Sequence, residues 1–118
     1  MSIGKKFDEG KLQWSLLPWS GLKGAVEVLM MGAKKYSRDN WKEVPDAKVR
    51  YLDAMLRHVA AMQDGDGIDP ESGLPHIDHV VCNAMFLAHF EAERGRLAGE
   101  NSARARREFI TPTEVEDE

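Results

Sequence analysis

The 118-residue sequence is poor in several features that fix other small proteins. It has one cysteine, Cys82, so no internal disulfide can brace it and nothing ties it to an oxidising compartment. No stretch approaches the ~20 apolar residues that a bilayer-spanning helix needs. The N-terminal stretch MSIGKKFDEGKLQW carries charge but no long apolar run, which does not fit a secretory signal. A cytoplasmic protein with no membrane partner is expected. Alternating runs of β-branched residues are also missing, and with them the signal for strands. Charge of one sign is scarce outside the end of the chain. Glu114, Glu116, Asp117 and Glu118 supply as many negative charges as the net −4 of the whole sequence. The remainder is near neutral, with local basic clusters at Lys34-Lys35 and Arg104/Arg106/Arg107, so stable nucleic-acid binding is not expected.

What remains is an ordinary globular composition. A 42% hydrophobic fraction is too rich for global disorder, and the length suits one domain with one modest core. Residues 1–110 read as a single all-α domain and 111–118 as a disordered acidic tail. Pro18 suits a first helical position, and Leu22, Ala25, Val26, Leu29 and Ala33 then recur at helical spacing until the turn Ser37–Asn40. Pro45-Asp46 opens a second helix, in which Val49, Leu52, Leu56, Val59 and Gln63 trace one stripe. The run Asp64-Gly65-Asp66-Gly67 ends it. Pro75 opens the third and longest helix, reaching about Arg94. Leu97–Glu108 allows a short charged fourth. Residues 1–17 read as an extended, partly ordered arm. An up-and-down helical bundle follows. The first helix is apolar nearly all round, a pattern that asks for burial on more than one side, so a homo-oligomer is expected.

Four places carry chemistry. Glu27 is the only charge between Ala25 and Ala33, and a carboxylate set among apolar side chains is costly unless a metal or hydrogen bonds compensate it. Lys34 returns seven residues later to nearly the same helical angle. The alternative is that Glu27 marks the solvent edge of its helix, and spacing alone does not separate the two. At the start of the third helix, His76, His79 and Asn83 fall within a sector of about 60°. Imidazoles one turn apart can share a metal, or one can act as base while the other orients it. The bland reading makes them helix-start residues with local hydrogen bonds. His58 lies on the second helix, and the end of that helix should approach the start of the third, bringing His58 toward His76 and His79. Arg57 beside it could meet a phosphate. Finally, Lys34-Lys35-Tyr36 and Asn40-Trp41 combine bases, aromatic rings and an amide, types that suit phosphates and a nucleobase. The acidic loop Asp64–Glu71 does not match a calcium-binding EF-hand, since Ile68, Asp69 and Pro75 stand where an oxygen ligand, glycine and glutamate are needed. It is read as mainly turning the chain, with one carboxylate able to reach a metal.

The order Lys6-x-Asp8-x-Gly10-Lys11, Leu16-Leu17-Pro18, Gly32-Ala33-Lys34-Lys35-Tyr36, Asn40-Trp41, Arg57-His58 and Asp69-Pro70-Glu71-Ser72-Gly73-Leu74-Pro75-His76-x-x-His79-x-x-x-Asn83 resembles the phage dATP/dGTP diphosphohydrolases. These include the MazZ-type enzymes, related to the MazG-like all-α nucleotide pyrophosphohydrolases. The resemblance covers roughly residues 5–91. It implies hydrolysis of a purine deoxynucleoside triphosphate to the monophosphate and pyrophosphate, with Mg²⁺ or Mn²⁺, in the cytoplasm of a phage host. The MazG pattern of E-E-x-x-E followed by E-x-x-D is missing. Only Glu27 stands in the first helix, and His76-x-x-His79 appears where E-x-x-D could have been. The favoured ligand set is therefore mixed: Glu27, His58, His76 and His79, with Glu27, His58 and His79 in catalysis. Lys11, Lys34, Lys35, Tyr36, Asn40, Trp41, Arg57 and Asn83 would contact the nucleotide. The competing readings are a non-catalytic phage accessory module, a nucleic-acid binder using Arg94–Arg107, and HD-type chemistry releasing triphosphate.

Overall fold

The computed structural model describes residues 3–99. Among these the secondary structure is helical, apart from one isolated antiparallel bridge between Ile68 and Pro75. Three helices form the bundle: α1 over Trp19–Lys35, α2 over Ala47–Gln63 and α3 over His76–Leu97. Short 3₁₀ turns at Trp14–Leu16 and Asn40–Lys42 precede α1 and α2. The all-α expectation holds, and each helix begins close to the proline that signalled it. Pro18 and Pro75 sit at the N-caps of α1 and α3, one residue earlier than a first helical position. Leu17 before Pro18 is extended, at φ −64° and ψ 132°, because the proline ring excludes the helical region for its predecessor.

α3 runs three residues past Arg94 and through Gly95. Two surface pairs, Glu91 with Arg94 and Glu93 with Arg96, span its last turns, and the arginines also suit the negative end of the helix dipole. The fourth helix over Leu97–Glu108 and the tail over 111–118 fall almost wholly outside the described residues. No described helix is long and apolar enough to cross a membrane.

α2 lies antiparallel on α3. Its start reaches the far end of α3 through Lys48 and Glu91, 3.8 Å apart, and its later turns bring His58 to His76. α1 packs on α3 through Ala25 and Val28, which with Cys82 form the small fully buried core. One close approach sets this second packing. A Cβ placed on Gly24 would lie 2.0 Å from the Cγ and Oδ2 of Asp78, so only glycine lets α3 come so near.

The expected stripe on α2 points the other way. Val49, Leu52, Leu56 and Val59 are exposed, whereas Ala47, Tyr51, Ala54, Met55, His58 and Ala61 are the partly covered face toward α3. Both sets repeat at helical spacing, and packing on α3 selects the one that carries the tyrosine and the histidine.

Candidate functional site

α1 and α2 both lean on α3, and a cavity of about 970 Å³ opens where they meet it. Its floor comes from α3, with His79, Cys82, Asn83 and Phe86. α2 lends Arg50, Tyr51, Arg57 and His58, and Lys35 and Tyr36 close the end of α1. A smaller apolar recess of about 160 Å³ adjoins it, sharing Tyr36, Asn40, Tyr51, Cys82 and Phe86 and adding Trp41. Trp41 stacks on Phe86 with ring centroids 4.3 Å apart, and its carbonyl accepts a 2.8 Å hydrogen bond from the Tyr51 hydroxyl. Those contacts fix the aromatic wall.

At the other end of the cavity the histidines converge. His58 and His76 face each other through their Nδ1 atoms at 2.8 Å, although one lies on α2 and the other on α3. The His58 ring stacks on that of His79 with centroids 4.4 Å apart and only 8° between planes. His76 and His79 are 4% and 7% exposed, an uncommon depth for imidazoles. Their position follows from the first turns of α3, where residues three apart share a face.

The loop before α3 supplies what the spacing of the histidines did not reveal. Gly73 at φ 76° turns the chain back, and the amide of Asp69 donates to the carbonyl of Leu74 at 2.9 Å. His76 N–H donates to the carbonyl of Gly67 at 2.9 Å, docking the loop against the helix start. Asp69 is thereby held over the histidines, its Oδ2 accepting from Ser72 N–H at 3.0 Å and lying 3.5 Å from His79 Nε2. Ser72 Oγ shares a 2.7 Å hydrogen bond with His79 Nε2, and Asp66 Oδ2 lies 3.3 Å from His76 Nε2. His58, Asp69 and His76 each offer a ligand atom within 4.8 Å of the others. The loop was expected mainly to turn the chain, with one carboxylate able to reach a metal; it also sets Asp69 and Ser72 against the histidines.

Protonation follows burial. Burial lowers the pKa of His58, aided by the neighbouring His79, and burial lowers that of His79 despite the opposing field of Asp69. Both imidazoles are thus biased toward the neutral form. Burial pushes the Asp69 carboxyl up, but the hydrogen bonds from Ser72 outweigh it and hold the group below its ordinary value. Burial also raises the Cys82 thiol to about 11, so it is no nucleophile at neutral pH.

The other expected site residues divide. Lys35, Tyr36, Asn40, Arg57 and Asn83 line the cavity, and Trp41 lines the recess. Asn83 is engaged through Nδ2 with the carbonyl of His79 at 2.8 Å, which makes it a brace for α3 as well as a lining group. Glu27 is exposed and does not line the cavity, because the face of α1 that meets α3 is that of Ala25 and Val28. Its apolar neighbours Val26 and Met30 are themselves exposed, so they bury nothing around it. Lys34 shares that outward side, and Lys11 is exposed on the N-terminal arm. Asp69, Ser72, Asp66, Arg50 and Tyr51 are additions. Asp66 and Asp69 had a signal in the acidic loop, from which one carboxylate was expected to reach a metal, and Asp69 and Ser72 also stand in the run Asp69–Gly73.

A family model described as "dATP/dGTP diphosphohydrolase, N-terminal" matches residues 1–100. The chain is 37% identical over 84 residues to a protein named dATP/dGTP diphosphohydrolase from Salmonella phage PMBT28. The match takes in 71% of this chain and 28% of that relative, so the chain spans under a third of the relative's length. No solved structure matches. The chain belongs to the dATP/dGTP diphosphohydrolase N-terminal family.

Proposed function

We propose that the cavity hydrolyses a purine deoxynucleoside triphosphate, dATP or dGTP, to the monophosphate and pyrophosphate with the help of a divalent ion. The reading is supported by one juxtaposition: a partly buried His/Asp cluster opens on the same cavity as Lys35, Arg50 and Arg57, with an aromatic recess beside it. A triphosphate needs cationic partners along its length, and a base needs a flat apolar wall.

The donors present fit a metal. His58 and His76 are brought together from two helices, Asp69 adds an anionic oxygen, and second groups already hold His76 and Asp69. A divalent ion bound there supplies charge neutralisation for phosphate oxygens and a water of lowered pKa. Arg57 and Arg50 on α2 take phosphate oxygens as planar forks, and Lys35 contributes a point charge from the end of α1. Lys35 stands 3.8 Å from Glu71, an exposed pair that a phosphate can displace. The recess beside Tyr36, Asn40 and Phe86 receives the base, where the Asn40 amide offers both a donor and an acceptor. Water adds to the α-phosphorus, the bond from that phosphorus to the bridging oxygen breaks, pyrophosphate leaves, and one proton is released.

Self-association belongs to the same reading. Val49, Leu52, Leu56 and Val59 form an exposed seam at heptad spacing on α2, and Val26 and Met30 are exposed on α1. A second copy of the chain is the proposed cover. Sedimentation should show a dimer or larger species at micromolar concentration, and Leu56→Glu should shift it toward monomer. A monomeric parent chain would remove this part. The role would be nucleotide metabolism in a phage-infected cell, removing dATP or dGTP.

The decisive experiment incubates the protein with each of the four dNTPs and Mg²⁺ or Mn²⁺ and separates the products. Monophosphate with pyrophosphate from purine substrates is expected. Nucleoside with inorganic triphosphate would point instead to HD-type chemistry, and no turnover with any nucleotide would leave a binding module.

A further inference from the structure

Two nitrogens bound to one ion at about 2.1 Å and at right angles stand about 3 Å apart. The 2.8 Å between His58 Nδ1 and His76 Nδ1 is close to that separation. An unassisted imidazole pair at this distance has one N–H pointing at the other nitrogen's lone pair. Here the tautomer of His76 is assigned by its surroundings. Asp66 Oδ2 lies 3.3 Å from His76 Nε2, and a carboxylate oxygen accepts without donating, so this pairing places the proton on Nε2 and leaves Nδ1 with a lone pair. This carboxylate–histidine pairing, with the second nitrogen turned inward, is the arrangement that orients a ligating imidazole.

Asp69 is prepared in the same way. Its Oδ2 is occupied by Ser72 N–H at 3.0 Å and faces His79 Nε2 at 3.5 Å. A ligand atom of the carboxylate still lies within 4.8 Å of those of His58 and His76. His79 differs from its neighbours. Its Nε2 is committed to Ser72 Oγ at 2.7 Å, and its ring is stacked parallel to His58, so it faces the loop.

We infer that His58, His76 and Asp69 form a three-ligand N₂O site for a borderline first-row transition ion, with His79, Ser72 and Asp66 as positioning residues. The inference deepens the reading above and rests on it for the ion's part in hydrolysis; binding itself is separable from turnover. The chemical class of ion follows from the donors. Mg²⁺ favours an all-oxygen octahedron and keeps its waters, whereas imidazole nitrogen favours Fe²⁺, Co²⁺ or Zn²⁺. Three protein donors leave coordination positions open for water and phosphate oxygen, as an ion taking part in hydrolysis requires. The earlier expectation of a set including Glu27 and His79 is thereby replaced. Glu27 stands outside the cavity, and Asp69 takes the carboxylate's place.

The test uses the full chain stripped with a chelator and titrated with Co²⁺, Zn²⁺, Mn²⁺ and Mg²⁺, by calorimetry and by the visible absorption of Co²⁺. One Co²⁺ or Zn²⁺ per chain is expected, bound at least about 100-fold more tightly than Mg²⁺. His58→Asn and Asp69→Asn should each abolish the stoichiometric Co²⁺ spectrum. His89→Gln, a histidine outside the cluster, should leave it unchanged. Ser72→Ala should weaken Co²⁺ binding by about 10- to 100-fold and shift the spectrum, with Ser72→Thr restoring it. Far-UV circular dichroism of each metal-free variant establishes that the helices persist, and a variant that loses them is replaced by His76→Asn. Equal affinity for Mg²⁺ and Co²⁺, or a Co²⁺ spectrum that survives loss of His58 and of Asp69, overturns the inference. Selective metal binding without turnover of any nucleotide upholds the ligand set and removes the hydrolase reading instead.

Discussion

Gly24→Ala tests whether α1 and α3 are held at the distance the site depends on. In isolation the change should stabilise a helix interior by about 0.5–1 kcal/mol, since alanine gives up less backbone freedom than glycine. Here the new methyl would lie 2.0 Å from Asp78 Cγ and Oδ2 and 2.2 Å from Oδ1. Asp78 must swing aside or the helices must part, an overpacking cost of about 1–3 kcal/mol. Asp78 also sits in the first turn of α3, where a negative charge interacts with the helix dipole by about 0.3–1 kcal/mol. A net loss of roughly 1–2 kcal/mol is expected. With a urea slope of about 1–3 kcal/mol/M this lowers the unfolding midpoint by about 0.3–2 M, at one protein concentration and followed by circular dichroism. The double variant Gly24→Ala/Asp78→Ala removes all three clashing atoms. It should be at least about 1 kcal/mol more stable than additivity predicts. A single variant as stable as the parent, or two changes that simply add, would refute the close approach.

Other outcomes follow from the site. Glu27→Gln should change turnover by no more than about twofold, as for an exposed position; a loss as large as that of Asp69→Asn would return Glu27 to the site. Cys82 should resist iodoacetamide at pH 8 in the folded chain and react on unfolding, as mass spectrometry would show; prompt labelling of native protein would contradict its burial and raised pKa. The lowered pKa values of His58 and His79 make the unfolded chain bind more protons once pH falls below the ordinary 6.5. The metal-free protein should therefore lose stability from pH 6.5 downward toward the folded-state values, read as a falling melting temperature. A flat profile between pH 7.5 and 5.5 would remove that linkage.

The helices were legible because their boundaries are written in residues that act locally. Pro18, Pro75 and the Asp64-Gly65 turn restrict the backbone whatever packs around them. The facing of α2 was not legible. Two stripes share the helical period, and the more apolar one, Val49 to Val59, is the one left outward. A period states that a face exists and does not say what covers it. Glu27 misled for a related reason, since apolar sequence neighbours desolvate a charge only where they are themselves buried. The histidines were found because three of the site's groups sit at fixed helical angles. Asp69 and Ser72 were harder, because their places depend on backbone bonds across the loop, from Asp69 to Leu74 and from His76 to Gly67.

That loop has a consequence for how the protein comes together. Every group of the His/Asp cluster lies between His58 and His79, so it is assembled within one helical hairpin and needs no distant strand or domain. Contacts of such short sequence separation close with little loss of chain entropy and form early in folding. An ion joining His58 to His76 would fasten two residues 18 positions apart in the chain, much as a short cross-link does. The cluster would then help to close the hairpin as well as line the cavity. α1, the last helix to find its place by this logic, would complete the cavity around chemistry that the hairpin had already gathered.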